Sequence, residues 1–361
     1  MITKYNPHII VVGAGIAGAS LAYHLTMQKA HVTLIDRANQ PAQEVTEKSF
    51  AWITAGHDTS EINFNFKQQA IADWRRLEDE LRGALKINWS GALSWYSDMT
   101  EADQIANKLN SLDYKVRLID SQQIKRLEPN LKIVPDQAFF AENEGAIDPA
   151  LTTQLLIKAA CEAGAILKLN TEVLFLMTSS SRVTGVVTIK GNLNADMVVL
   201  TAGTDTAVLC KPLGLNLPVK VSPAILMKFY TQQQFVNRIV SNPFMEIRAA
   251  SDHLMLAAED YIDESADNNP QAIAGRTLEA IKKHWRGATQ VKLIDVVVGK
   301  RPVPQDGQLI IGQAPDIKGL YLTVVHPGIT FAALAGKLAA DEIITGQNNI
   351  LQSTYRPDRF N

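Results

Sequence analysis

Residues 13–18 read Gly13-Ala14-Gly15-Ile16-Ala17-Gly18. Such a loop brings backbone, rather than side chains, up to an anionic ligand. Gly13 permits a tight turn, Gly15 lets the chain approach a pyrophosphate, and Gly18 lets the next helix lie close on the preceding strand. The first turn of that helix would present N–H donors and a partial positive charge to phosphates. Asp36 follows 18 residues after Gly18. A carboxylate there can accept hydrogen bonds from ribose hydroxyls and repels a 2′-phosphate, which favours NAD or FAD over NADP.

The loop is informative only if a strand precedes it and a helix follows. His8–Val12 is short, apolar and β-branched, residues 16–28 carry Ala, Leu and Tyr at helical spacing, and Val32–Ile35 reads as a second buried strand. Together they make one βαβ unit, whose parallel strands need cover on both faces. Residues 66–85 read as an amphipathic helix with Ala70, Trp74, Leu77 and Leu81 on one stripe. Asp148-Pro149 places an N-cap and a first-turn proline before an apolar helix face of Leu151, Leu155, Leu156 and Ala159. Strands at 166–169, 173–176, 183–189 and 197–200 follow. Alternation around 224–229 and 254–257, a helix near 271–286 and a strand at 293–298 suit a mostly antiparallel sheet. A strand at 320–325, a turn at 326–328 and a helix over 330–345 complete the chain.

The 361 residues are 46% hydrophobic and 20% charged, with a formal net charge of −2. That balance suits two interleaved domains and excludes a basic nucleic-acid surface. Cys161 and Cys210 stand far apart with no metal-ligand spacing, so neither a disulfide framework nor a metal site is expected. The apolar run 9–22 is broken by Gly13, Gly15 and Gly18 and has no basic leader, unlike a secretory signal. No stretch approaches the ~18 uninterrupted apolar residues of a membrane span. The expected location is the cytoplasm, with peripheral membrane association left open.

The fingerprint alone does not separate FAD from NAD; the rest of the chain does. It leaves the first sheet after Asp36 and returns with Glu144-Gly-Ala-Ile-Asp-Pro149 and Ala195-Asp-Met-Val-Val-Leu-Thr-Ala-Gly203. With VVGAGIAGASLAYHL at 11–25, LIDR at 34–37, GKRPVPQDGQLIIG at 299–312 and GLYLTVVHPGITFAALAGKLAADEIITG at 319–346, these run in one order along the whole chain. The chain resembles the D-amino-acid oxidase, glycine oxidase and sarcosine oxidase superfamily of flavoproteins.

The resemblance implies an α/β fold. A Rossmann-like FAD-binding domain of the glutathione-reductase type (1–60, 145–215, 299–361) would interleave with a mostly antiparallel substrate domain (61–144, 216–298). It implies that FAD contacts Gly13 to Gly18, Asp36 and Arg37, then Val173 at the adenine end, and Thr201, Ala202 and Gly203 along its length. Gly328, Ile329, Thr330 and Phe331 would form a second helix N-terminus aimed at the flavin, with His326 beside it. Where the family has a Gly/Ser-rich stretch, Ser49, Ala51, Trp52 and Ile53 would fill the place, Trp52 near the ring.

For the chemistry, the resemblance points to Arg301 as the group that binds a substrate carboxylate. A planar guanidinium suits a bidentate partner; the competing role is a structural ion pair. His57, Cys161 and Cys210 do not fall on the attachment positions of covalent relatives, so FAD is expected to be non-covalent. Tyr230, Tyr261, Trp95 and His253 suit the wall of a small pocket, though each singly suits core packing as well. The implied reaction is oxidation of a small amino acid or N-substituted amino acid to an imine. Electrons pass to oxygen or to an external acceptor. A hydroxy acid or polyol substrate, a FAD-binding subunit of a larger complex and a plain NAD dehydrogenase are the alternatives; a homo-oligomer or a partner subunit is left open.

Overall fold

The structure is a computed structural model, describing residues 6–56, 61–260, 265 and 267–360. The chain opens with β1 (His8–Val12), α1 (Ile16–Met27), β2 (His31–Ile35), β3 (Trp52–Ile53) and α2 (Glu61–Glu80). It continues through β4 (Ala92–Ser94), α3 (Ala102–Ser111), β5 (Val116–Asp120), α4 (Ser121–Leu127), β6 (Gln137–Ala141) and β7 (Gly145–Ala146). Next come α5 (Pro149–Glu162), β8 (Ile166–Lys168), β9 (Val173–Ser179), β10 (Arg182–Thr188), β11 (Gly191–Asn194), β12 (Met197–Leu200) and α6 (Asp205–Cys210). Then follow β13 (Val219–Tyr230), β14 (Ile239–Asn242), β15 (Met245–Ser251), β16 (Leu254–Asp260), α7 (Pro270–His284) and β17 (Lys292–Pro304). The last elements of interest are β18 (Ile310–Gln313), β19 (Leu320–Val324) and α8 (Gly328–Thr345).

A six-stranded sheet has the order β18-β19-β12-β1-β2-β8. It is parallel except that β18 runs against β19. Because side chains alternate along a strand, β1 feeds two cores. Ile9 and Val11 pack beneath the helices, while Ile10 and Val12 face the small β11-β10-β9 sheet. Helix α1 lies between α5 and α8 and is buried almost all round. Gly336 of α8 meets Ser20 of α1 so closely that a Cβ would lie 2.3 Å from Ser20 Oγ.

An eight-stranded sheet, β17-β13-β16-β15-β14-β4-β6-β5, is antiparallel apart from the β14–β4 pair. One face buries Ile225, Met227, Phe229, Met255 and Ala257 against Ile273, Ala274 and Ile281 of α7. The other face carries Leu226, Leu256, Ala258 and Val297 toward Phe50 and Trp52 of the first unit. The functional space lies on this second face.

Three features depart from expectation. Leu151 is 41% exposed; α5 instead buries Thr152, Thr153, Leu156, Ile157 and Ala160, because α1 takes the adjoining stripe. Strand β17 runs on to Pro304, so 299–304, read as part of the FAD segment, pair with β13 in the antiparallel sheet. Helix α2, read as part of the substrate segment, docks on α8: Trp74 Nε1 donates to the carbonyls of Ile329 and Thr330 at 2.9 and 3.1 Å. Among the described residues, no helix is long and apolar enough to cross a membrane.

Candidate functional site

Gly13 sits at φ +109°, where a Cβ would fall 2.7 Å from the Thr201 carbonyl oxygen. At Gly18 a Cβ would fall 1.9 Å from the Gly13 carbonyl oxygen. Only glycine allows both approaches. Thr201 Oγ1 donates toward the carbonyls of Val12 and Gly13 at 2.8 and 3.0 Å and so staples β12 to the loop. Gly15 caps α1 without a side-chain hydrogen bond, and no acid lies in the first turn; Thr46 Oγ1 accepts from Ile16 N at 3.2 Å. Pro327 likewise caps α8 without a side-chain bond. Two helix N-termini with positive partial charge therefore open on one space.

That space is a cavity of about 1030 Å³. It runs from the carboxyl ends of β1 and β2 to the face of the eight-stranded sheet, the place where open α/β sheets bind ligands. The volume stands at the top of the range of about 300–1,000 Å³ for small-molecule pockets. Most of the expected cofactor residues line it: Gly13, Gly15, Ile16, Ala17, Asp36, Arg37, Ser49, Ala51, Trp52, Val173, Thr201, Ala202, Gly203, His326, Gly328 and Ile329. Arg301 lines it as well.

Five expected residues do not line it. Ala14 is fully buried and its N–H donates to Asp36 Oδ2 at 2.6 Å. Gly18 faces the Gly13 carbonyl. Ile53 is buried in the core beneath the helices. Phe331 packs on Phe66, ring centroids 5.3 Å apart. Thr330 is fully buried; its hydroxyl bonds Trp52 O and Thr54 N, both at 3.3 Å. These residues shape the walls from behind.

Asp36 does more than expected. One oxygen accepts from Ala14 N and the other from Ala38 N at 2.8 Å. A carboxylate has about four acceptor sites, so it can hold the loop and still accept from a ribose. Arg37 pairs with Asp205 at 2.9 Å and Glu44 at 3.4 Å across the rim.

The strand bearing Trp52 is pinned from several sides. It pairs with β7 through Trp52–Ala146. Arg248, 6% exposed, donates through Nε to Phe50 O at 2.7 Å and through Nη2 to Ile147 O at 3.1 Å. Burial pulls the Arg248 guanidinium down to about 10. Buried Glu144 accepts from Thr54 Oγ1 at 2.7 Å, from Ala55 N at 3.1 Å and from the Tyr114 hydroxyl. Burial raises the pKa of the Glu144 carboxyl. Ala51 is held at φ +59°, a left-handed conformation costly for a residue with a Cβ. Ser49 Oγ accepts from its N–H at 3.0 Å.

Arg301 faces Ser222 across the β13–β17 ladder. Its Nη2 donates to Ser222 Oγ at 2.9 Å and to Pro223 O at 3.0 Å. With Nε donating to Ser222 O at 3.3 Å, these bonds tie the Nε and Nη2 side of the guanidinium to β13 at the edge of the cavity. Among the aromatic candidates, Trp95 belongs to the core on the far side of the sheet, and Tyr230 stacks on His253 with centroids 6.2 Å apart; none of the three lines the cavity. His57 and Tyr261 lie outside the described residues. Cys210 is buried and Cys161 exposed, both free thiols away from the cavity lining. Sequence reasoning missed Thr46 and Arg248. Only a buried arginine in an alternating strand gave any signal, since an arginine on an inward position needs acceptors.

The sequence profile of the FAD dependent oxidoreductase family (DAO) matches residues 8–342. The glycine oxidase of Pseudomonas aeruginosa is 26% identical over 372 residues, covering 98% of this chain and 99% of that protein. The D-amino acid dehydrogenase of Allorhizobium ampelinum is 26% identical over 418 residues, covering 98% of each. Among solved structures, iminodiacetate oxidase from a Chelativorans species superposes with a TM-score of 0.85 at 24% identity, over 97% of this chain and 98% of that one. The two helix N-termini, the glycine cradle and the match over 8–342 agree: the chain belongs to the DAO family of FAD-dependent oxidoreductases.

Proposed function

We propose that the protein oxidises a small amino acid or N-substituted amino acid at its α-carbon, with non-covalent FAD as the primary acceptor. One observation carries the reading: a single cavity joins two helix N-termini, whose cap residues make no side-chain hydrogen bond, to a sheet face bearing Arg301. The residues fit FAD. The glycine cradle admits a pyrophosphate beside the N-terminus of α1. Asp36 and Val173 line the same cavity and would hold the adenosine half, and the N-terminus of α8 would favour negative charge on a reduced flavin.

Bound FAD supplies the two-electron acceptor, taking a hydride from the substrate carbon. The chain's own residues hold and shield. Arg301 would receive the carboxylate on its Nη1 side, since Nε and Nη2 donate to Ser222 and Pro223. Trp52, pinned by Arg248 and Thr330, closes one wall. The substrate nitrogen gives up a proton as the C=N bond forms, and water then releases the carbonyl acid and the amine. We assign FAD binding to segments 1–60, 145–215 and 299–361 and the substrate wall to 61–144 and 216–298, with β17 shared between them.

Anaerobic mixing with glycine, sarcosine, alanine, proline, lactate and glycerol tests the reading. Bleaching of the flavin by amino acids and not by hydroxy compounds is expected. Bleaching by lactate or glycerol alone contradicts it. The rate at which air restores the colour then separates oxidase from dehydrogenase.

A further inference from the structure

Outside the cavity lining, two stretches of chain lie side by side at the C-terminal end of α7. Lys132 N donates to His284 O and Arg286 N donates to Asn130 O, both at 2.7 Å, and Leu131 bridges to Trp285. This pairing sets Lys132 beside Lys282, Lys283 and Arg286. Lys132 Nζ donates to Lys282 O at 2.9 Å, and Arg286 Nη1 donates to Pro129 O at 3.5 Å. A helix C-terminus attracts cations to its last carbonyls. That accounts for Lys282 and Lys132, not for the exposed Lys283 and Arg286. Among the described residues, Glu279, 2.9 Å from Lys282, is the acid within ion-pair distance of any of the four. A chain of formal net charge −2 thus carries a local basic face.

The same face exposes apolar groups. The Phe244 ring meets the His284 ring edge-on, centroids 4.8 Å apart, and stays half exposed. Ile133, next to Lys132, is half exposed as well. Exposed apolar side chains scattered singly are ordinary; here two share a face with four cations. Phe244 lies in the turn of the β14–β15 hairpin, and its neighbours Asn242 and Pro243 line the cavity. Cations beside exposed apolar side chains suit a bilayer surface. The cations meet anionic headgroups while the apolar groups enter the boundary with the acyl chains. A soluble polyanion would use the cations and leave Phe244 and Ile133 in water.

We infer that this face, with Lys132, Lys282, Lys283 and Arg286 beside Phe244 and Ile133, docks on an anionic lipid surface. Docking there sets the rim of the cavity at the bilayer.

The test uses the FAD-loaded protein, with flavin colour as tracer, and sedimentation with vesicles. Vesicles of phosphatidylcholine with phosphatidylglycerol should carry the protein down, and vesicles of phosphatidylcholine alone should not. Binding should fade as salt shortens the Debye length from about 10 Å at 0.1 M to about 3 Å at 1 M. Lys283→Gln should weaken the partition about fivefold, the share of one cation near an anionic surface. Phe244→Ser should weaken it at unchanged charge, which separates a lipid surface from a bare polyanion. Lys158→Gln, at an exposed position of α5, should leave it unchanged. Flavin content shows that each variant is folded. Equal sedimentation with both kinds of vesicle, none with either, or binding that Lys283→Gln or Phe244→Ser leaves unchanged overturns the inference. Retention on heparin without vesicle binding marks a soluble polyanion as the partner and overturns it as well.

Discussion

Arg248 is the residue that most directly connects the sheet to the flavin wall. Its bonds to Phe50 O and Ile147 O cross from β15 to the chain on either side of the β3–β7 ribbon. Arg248→Met leaves both buried carbonyls without that donor. The expected cost is about 2–6 kcal/mol, since each unsatisfied buried group costs about 1–3 kcal/mol. A structural loss alone would move only the unfolding midpoint. A positioning role also shifts the flavin absorption bands and weakens FAD binding about tenfold, and Arg248→Lys restores part of both. Arg301→Ala should raise KM for carboxylate substrates about tenfold to a thousandfold, the span of 1.5–4 kcal/mol for a charge-assisted bond and its desolvation. Its FAD content should stay unchanged; unaltered kinetics would make Arg301 a strand staple to Ser222 only. Gly18→Ala sets a Cβ 1.9 Å from the Gly13 carbonyl oxygen and should abolish FAD retention, read by the visible spectrum after gel filtration. The glycines and Asp36 were legible because their chemistry is local. Arg248 was not, because its acceptors, Phe50 O and Ile147 O, lie about 200 and 100 residues away along the chain.

At the scale of elements, α1 is held at both ends. Its first turn meets the loop, and near its C-terminus His24 bonds Ser20 O at 2.8 Å and Arg76 of α2 at 3.1 Å. Burial drives the His24 imidazole down to about 4. A folded pKa below the unfolded value of about 6.5 means that the unfolded chain binds the extra proton. The contribution of neutral His24 is therefore whole above about pH 6.5 and is lost as pH falls toward 4, by about 3 kcal/mol in all. Urea midpoints of the parent and His24→Gln, compared at pH 7.5 and pH 5, should converge at the lower pH. A constant difference would mean that His24 is not neutral in the fold. The element order was readable because β1-α1-β2 and Asp148-Pro149 carry their own periodicity and caps. Strand β11 and the extension of β17 to Pro304 were not, since pairing partners rather than propensity define them.

At the scale of the whole molecule, the cofactor space is a seam. The six-stranded sheet supplies two helix ends, and the eight-stranded sheet supplies a wall that carries Arg301. The visible spectrum of the purified protein, read before and after acid precipitation, tests that central claim most directly. The account predicts a flavin spectrum whose colour moves wholly into the supernatant. Colour kept in the pellet would contradict non-covalent binding. A colourless protein that FAD cannot reconstitute would contradict the cavity as a flavin site.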